Sequence, residues 1–230
     1  MPDRSVELCE RIREHCRLMG NYGLDAGWEE MRGYIDEEGN IRYRIVTHDP
    51  ETGFEFPPAT EEQLQATEAA LGLPLPPMLH ALYSQVANGG FGPGFGITGA
   101  KGAYYFGNDG RYQTIDMCTD SNPLVEYIDL SQYEQEHGNP PYFELRERIQ
   151  PAHFWHLCYH GCSIDDCIDG YSGRIYQVSW VGSLPDSFLP NNAHPGEFVQ
   201  EAVIGYWRIA DSLEEYLELW LNNEVLHPFG

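Results

Sequence analysis

Between Thr60 and Gly90 the chain is punctuated so heavily that few backbone paths are open to it. Thr60 stands three residues before Gln63, a spacing at which a hydroxyl and an amide side chain satisfy two orphan backbone donors at a helix start. Leu64 and Leu71 follow at helical spacing, and Gly72 is the residue type that ends a helix in the left-handed region. Pro74 and Pro76 push the residues before them out of the helical region, so this stretch is an extended connector. Pro77 suits the first turn of a second helix, where no amide donor is needed. Leu79, Leu82, Tyr83 and Val86 mark that helix's buried face. Asn88-Gly89-Gly90 stops it, because glycine adopts positive φ at little cost.

The flanking segments alternate between the two periodicities. Ser5 to Met19 carries Leu8, Ile12 and Cys16 or Leu18 near helical spacing. A short helix is expected over Ala26 to Ile35, with Trp28, Met31 and Ile35 on one face. Ile41 to Thr47 alternates Ile41, Tyr43 and Ile45 against Arg42 and Arg44, a strand pattern. The glycine-dense, aromatic run from Phe91 to Gly107 predicts turns and short strands. Phe154 to Tyr159 and Ser163 to Asp169 predict strands. From Gly173, Tyr176, Val178 and Trp180 alternate with Gln177 and Ser179, and Val199 to Ile209 offers another strand. The last helix carries Leu213, Tyr216, Leu217, Trp220 and Leu221 in one stripe, started by Ser212 and Glu215. Helices first, strands in the middle and a helix at the end make an α+β fold with a largely antiparallel sheet.

Charge limits the partners. Thirteen Lys and Arg stand against 36 Asp and Glu, a formal net charge of −23. Such a surface repels phosphate, so nucleic acid bound through counterion release is excluded as an expectation, and anionic membranes are disfavoured. A basic protein partner would instead be steered in. No apolar run approaches the length needed to span a bilayer, and residues 1–16 mix charge without an apolar signal core. The expected compartment is the cytoplasm. There six cysteines (Cys9, Cys16, Cys118, Cys158, Cys162, Cys167) would be thiols, too sparse for a disulfide scaffold.

The stretch from Pro57 to Gly99 resembles the signature of the SUKH superfamily, in the group named after the fungal Smi/Knr cell-wall assembly regulators. The residues that carry the resemblance are Leu64, Glu68, Leu71, Gly72, Leu75, Pro76, Asn88, Gly89 and Gly90. The strand pair around residues 160–178 and the closing run 210–221 also fit. The resemblance implies a single α+β domain over 24–223, a helical extension at 1–23, an insert near 119–150 and a tail at 224–230. It implies no catalytic residues and no cofactor. Bacterial members are similar to immunity proteins that neutralise a secreted toxin, and fungal members to scaffolds that regulate wall synthesis.

One local cluster has metal-binding chemistry: His156, Cys158, His160, Cys162 and Cys167. It contains no C-x-x-C pair, and on a strand His156, Cys158 and His160 would lie in a line rather than converge, so buried packing is the expected role and a zinc enzyme the alternative. A cysteine nucleophile would need a base and an orienting group in space, and no G-x-S-x-G elbow occurs. The glycines from Gly92 to Gly102 lack a Walker Lys-Ser pair and follow a helix, so a turn-rich hairpin is expected. No D-x-D-x-D-G calcium loop is present. Asp165, Asp166 and Asp169 are expected as a solvated edge or an acidic docking face. Glu134, Glu136, Glu144 and Glu147 would extend that face toward a basic toxin such as a nuclease. Trp155 and Trp180 are expected in the core.

Overall fold

The computed structural model describes residues 4–19, 30–35, 41–46, 54, 56–94, 96–102, 115, 125–146, 148–161, 164–179 and 203–224. The order of elements is α1 (Arg4–Met19), β1 (Glu30–Ile35), β2 (Ile41–Val46), α2 (Glu61–Leu71) and α3 (Pro77–Ala81), which continues as a π-helical turn over Leu82–Val86. Then come β3 (Glu126–Ile128), α4 (Leu130–His137), β4 (Tyr142–Arg146), β5 (Ile149–Pro151), β6 (Phe154–Gly161), β7 (Ile164–Asp169), β8 (Ile175–Ser179), β9 (Val203–Ala210) and α5 (Leu213–Leu221). The chain is α+β. Five strands form one antiparallel sheet in the order β4-β9-β8-β7-β6, and β1-β2 and β3-β5 form two smaller ladders. No helix among the described residues is long and apolar enough to cross a membrane.

The helix–elbow–helix block forms as its punctuation requires. The Thr60 hydroxyl accepts from Gln63 N–H while the Gln63 side chain accepts from Thr60 N–H, and Gly72 closes α2 at φ +74°. Leu75 N–H donates to Glu68 Oε1 at 2.9 Å, tying the elbow back onto α2. Pro77 occupies the first position of α3. Beyond it, the Asn88 side chain accepts from Ala100 N–H at 2.8 Å, and Gly89 and Gly90 have φ of +82° and +80°. The loop that follows folds back through Gly90 N–H to Ile97 O and Ile97 N–H to Phe91 O. No strand forms over its described residues, so the expected hairpin is a compact loop whose chain ends are held by two such bonds.

The large sheet is buried on both faces. Trp155, Leu157, Ile168 and Ile175 pack with α1, α2, α3 and α5 in one core cluster. Phe154, Cys167, Tyr176, Val178 and Tyr206 form a second with Leu130, Phe143 and Leu145. Alternate residues of one strand thus feed opposite cores, as the pleat dictates. Even Gln177, expected on a polar face, is fully buried. The second core exists because segment 125–151 supplies α4 and the edge strand β4, which pairs with β9 from Tyr142↔Trp207 to Arg146↔Val203. In α1, Leu8, Cys9, Ile12 and Cys16 join the first core, whereas Leu18 is exposed.

One element reverses its expected type. Residues 30–35 are a strand, not part of a helix: β1 pairs antiparallel with β2, with Met31 opposite Ile45, Gly33 opposite Tyr43 and Ile35 opposite Ile41. The four-residue spacing of Met31 and Ile35 fits a helical turn and two strand repeats equally, so it does not discriminate. Gly33 weakens a helix, and a partner strand six residues away satisfies the backbone donors. Residues 26–29, 199–202 and 225–230, the 23/24 boundary, Cys118 and Trp180 lie outside the described residues.

Candidate functional site

Strands β6 and β7 carry the one group of metal-ligating side chains among the described residues: Cys158, His160 and Asp166, whose ligand atoms lie within 4.8 Å of one another. Strand pairing alone does not produce it. The register of β6 slips between His156 and Cys158 and again between Tyr159 and Gly161, because His156 faces Cys167 while Cys158 already faces Asp166. A bulge of this kind adds a residue on one strand and re-aims the side chains after it. The expected line of His156, Cys158 and His160 is therefore broken into two sites.

His156 goes to the first. Its Nδ1 lies 3.0 Å from Thr98 Oγ1 and its Nε2 2.9 Å from Asp165 Oδ1. The second is deeper. Asp166 is fully buried, and its Oδ2 meets His160 Nε2 at 2.6 Å, the Tyr216 hydroxyl at 2.5 Å and Cys158 Sγ at 3.6 Å. Its Oδ1 accepts from Gln177 Nε2 at 3.1 Å. Cys158 Sγ also lies 3.5 Å from His160 Nε2 and 3.2 Å from the Tyr216 hydroxyl. Three elements, β6, β8 and α5, converge on this one carboxylate of β7.

The geometry argues against nucleophilic chemistry at Cys158. A thiol activated for attack shares a histidine with an orienting acid, each partner holding a different ring nitrogen. Here Cys158 and Asp166 crowd the same nitrogen of His160. Burial, reinforced by the charge of Asp166, pushes the Cys158 thiol well above its ordinary value, which disfavours the thiolate. Burial also raises the Tyr216 phenol, again with Asp166 adding to it.

The other expected residues are dispersed. Cys167 is buried in the second core, on the opposite face from Cys158. Cys162 and Glu147 lie outside the described residues. Asp169 is 2% exposed and caps the β7–β8 turn, accepting from the Ser172 hydroxyl at 2.5 Å and from Tyr171 and Ser172 N–H. Asp165, Asp166 and Asp169 thus form no exposed acidic face: each carboxylate is spent on an internal donor. Glu134 corrects the expectation for α4, because it is 3% exposed and accepts from the Tyr176 hydroxyl at 2.5 Å and from Arg174. Glu136 and Glu144 are exposed, accepting from Gln132 and from the Tyr142 hydroxyl. The residues carrying the family resemblance are structural throughout: Leu64, Leu71 and Leu75 are core, Glu68 and Asn88 tie loops, Gly72, Gly89 and Gly90 turn the chain, and Pro76 precedes α3.

Sequence reasoning missed Tyr216 and Gln177 as members of the buried cluster. Tyr216 is indistinguishable from core in its helical stripe. Asp166 carried a readable signal, since two adjacent aspartates inside a strand cannot both face solvent when one face is core. Comparison with known proteins finds no matching family model, no matching curated protein and no matching solved structure.

Proposed function

We propose that this chain is a non-catalytic, cytoplasmic protein-binding domain of the SUKH type, acting as an immunity protein that neutralises a basic toxin by stoichiometric binding. The observation that carries the reading is the sign of the charge left at the surface once the internal carboxylates are removed from the count. With Asp165, Asp166, Asp169 and Glu134 spent inside, Glu61, Glu62, Glu126, Asp129, Glu136, Glu144 and Glu215 are still exposed. The segment 126–144 adds Tyr127, 41% exposed, to its exposed acids. An exposed aromatic side chain in an acidic segment suits a cationic protein surface, with charge steering the encounter and the ring holding it. The closed cluster at Cys158 supports the same reading, since its thiol is not poised for attack.

The test is capture of polypeptides encoded beside this chain, with the purified protein as bait, followed by association kinetics against ionic strength. A single basic toxin should be recovered, with an association rate that falls at least tenfold between low and high salt. Glu136→Lys combined with Glu144→Lys should slow association further while leaving the fold intact. A salt-independent rate would remove the electrostatic argument. Recovery of wall-synthesis proteins in place of a toxin would replace immunity with a scaffold role.

A further inference from the structure

We propose that Cys158, His160, Asp166 and Tyr216 form a closed binding site for one zinc ion, which pins α5 to the β6–β7 ladder. The distances carry the argument. Tetrahedral zinc with Zn–S about 2.3 Å and Zn–N or Zn–O about 2.0–2.1 Å requires ligand atoms about 3.6 Å apart across sulfur and about 3.3 Å apart otherwise. Cys158 Sγ stands 3.5 Å from His160 Nε2, 3.6 Å from Asp166 Oδ2 and 3.2 Å from the Tyr216 hydroxyl. The first two separations already fit, and the third is about 0.4 Å short. The two short ones, His160 Nε2 to Asp166 Oδ2 at 2.6 Å and Tyr216 to the same oxygen at 2.5 Å, are hydrogen bonds with a proton between the heavy atoms. Exchanging the His160–Asp166 proton for metal opens that pair by about 0.7 Å, and the Tyr216 hydroxyl, which keeps its proton and turns it away from the ion, opens by about 0.8 Å; both are side-chain rotations rather than backbone rearrangements.

Charge favours the exchange. Zinc enters as the Cys158 thiol proton and the proton between His160 and Asp166 leave to solvent, two protons out for one divalent cation. The thiolate and the carboxylate then balance the metal's two positive charges, while His160 and Tyr216 are neutral donors. A neutral site avoids the cost of a net charge where water does not reach. One sulfur and one imidazole select zinc over magnesium or calcium, which prefer oxygen alone. Gln177, on Asp166 Oδ1, is placed as the outer partner that orients a ligating carboxylate.

Access is through folding. A side chain at Gly94 would come within 2.5 Å of Tyr159 O and 3.0 Å of His160 Nδ1, so the glycine loop lies against the His160 end of the cluster. The full chain should therefore be produced in medium supplemented with zinc, purified without chelators and analysed for metal. One zinc per chain is expected, with an X-ray absorption first shell of one sulfur and three nitrogen or oxygen atoms. The cobalt-grown chain should show a thiolate-to-cobalt charge-transfer band, and Cys158→Ser should abolish that band and weaken zinc binding at least a hundredfold. Substoichiometric zinc in the wild-type chain would overturn the site, as would a first shell with no sulfur or with two or more. Wild-type affinity in both Cys158→Ser and His160→Gln would likewise refute it. The absorption measurement needs no variant, so misfolding of a variant does not protect the proposal.

Discussion

Two glycines in the left-handed region separate conformational strain from steric strain. Gly72 and Gly89 have nearly the same φ, +74° and +82°, yet a Cβ at Gly72 meets nothing within 4 Å, whereas one at Gly89 lies 2.6 Å from Gly99 N, 2.7 Å from Ile97 O and 2.8 Å from Gly99 Cα. Placing alanine in the left-handed region costs about 1–2 kcal/mol, offset by about 0.4–1 kcal/mol from the stiffer unfolded chain. Gly72→Ala should therefore destabilise by about 1 kcal/mol. Gly89→Ala adds a clash with main-chain atoms, which have no rotamer to yield. Overpacking of that kind costs about 1–3 kcal/mol more, giving about 2–4 kcal/mol in total. Relief would also pull on the Gly90 N–H bond to Ile97 O and the Asn88 bond to Ala100 N–H. Urea unfolding followed by tryptophan fluorescence measures both. Equal losses in the two variants would mean that the loop yields freely, and the account of a tightly docked Gly89 would be wrong.

Three further outcomes follow from buried groups. Glu134→Ala should cost about 2–3 kcal/mol, because it strands the buried Tyr176 hydroxyl and leaves Arg174, itself 30% exposed, with only the exposed Asp211 at 3.7 Å; Glu136→Ala on the same helix should stay within about 0.5 kcal/mol. His15 packs edge-on against Trp220 with ring centroids 4.7 Å apart, and burial lowers its pKa. The unfolded chain then binds the proton more readily, so stability should rise with pH from the depressed folded value up to about 6.5 and level off above it; an NMR titration midpoint for His15 above 6.5 would contradict this. Cys9, Cys16, Cys158 and Cys167 are buried, with the Cys16 thiol pushed up to about 12 by desolvation. Of six cysteines, no more than two should react with a thiol reagent at pH 8 in the native chain, and all six in denaturant; faster reaction of a third would show the core opening.

The elements that were legible are those whose signals are chemically exclusive. A Thr–Gln capping pair, a proline at the first helical turn and a glycine at a helix end each fit one backbone arrangement, and each was realised at Thr60, Pro77 and Gly72. The same holds for Ser212 at the start of α5, although Glu215 reaches back to Asp211 N–H rather than to Ser212. Residues 30–35 failed because Met31 and Ile35 satisfy both periods and only the partner strand decides between them. Burial on both faces of β8 was equally unreadable. Its alternation announces one polar face, yet α4 and β4 cover Tyr176 and Val178 on one side while Gln177, on the other, is enclosed beside Asp166 on the α5 side of the sheet.

The buried cluster shows where local patterns stop being informative. Read along β6, His156, Cys158 and His160 are equivalent positions two residues apart. What separates them is the bulge at Leu157, and a bulge is a property of a strand pair, not of a strand. After the slip, His160 reaches Asp166 while His156 is taken by Thr98 and Asp165. The fourth member, Tyr216, arrives from a helix 50 residues beyond Asp166. It lies at that depth because Leu213, Leu217 and Trp220 seat α5 against the first core. Apolar packing therefore sets the distances between the polar atoms. A substitution that shifts α5 should loosen the contacts of Asp166 even though it removes no polar group, which is the sense in which the core positions the site.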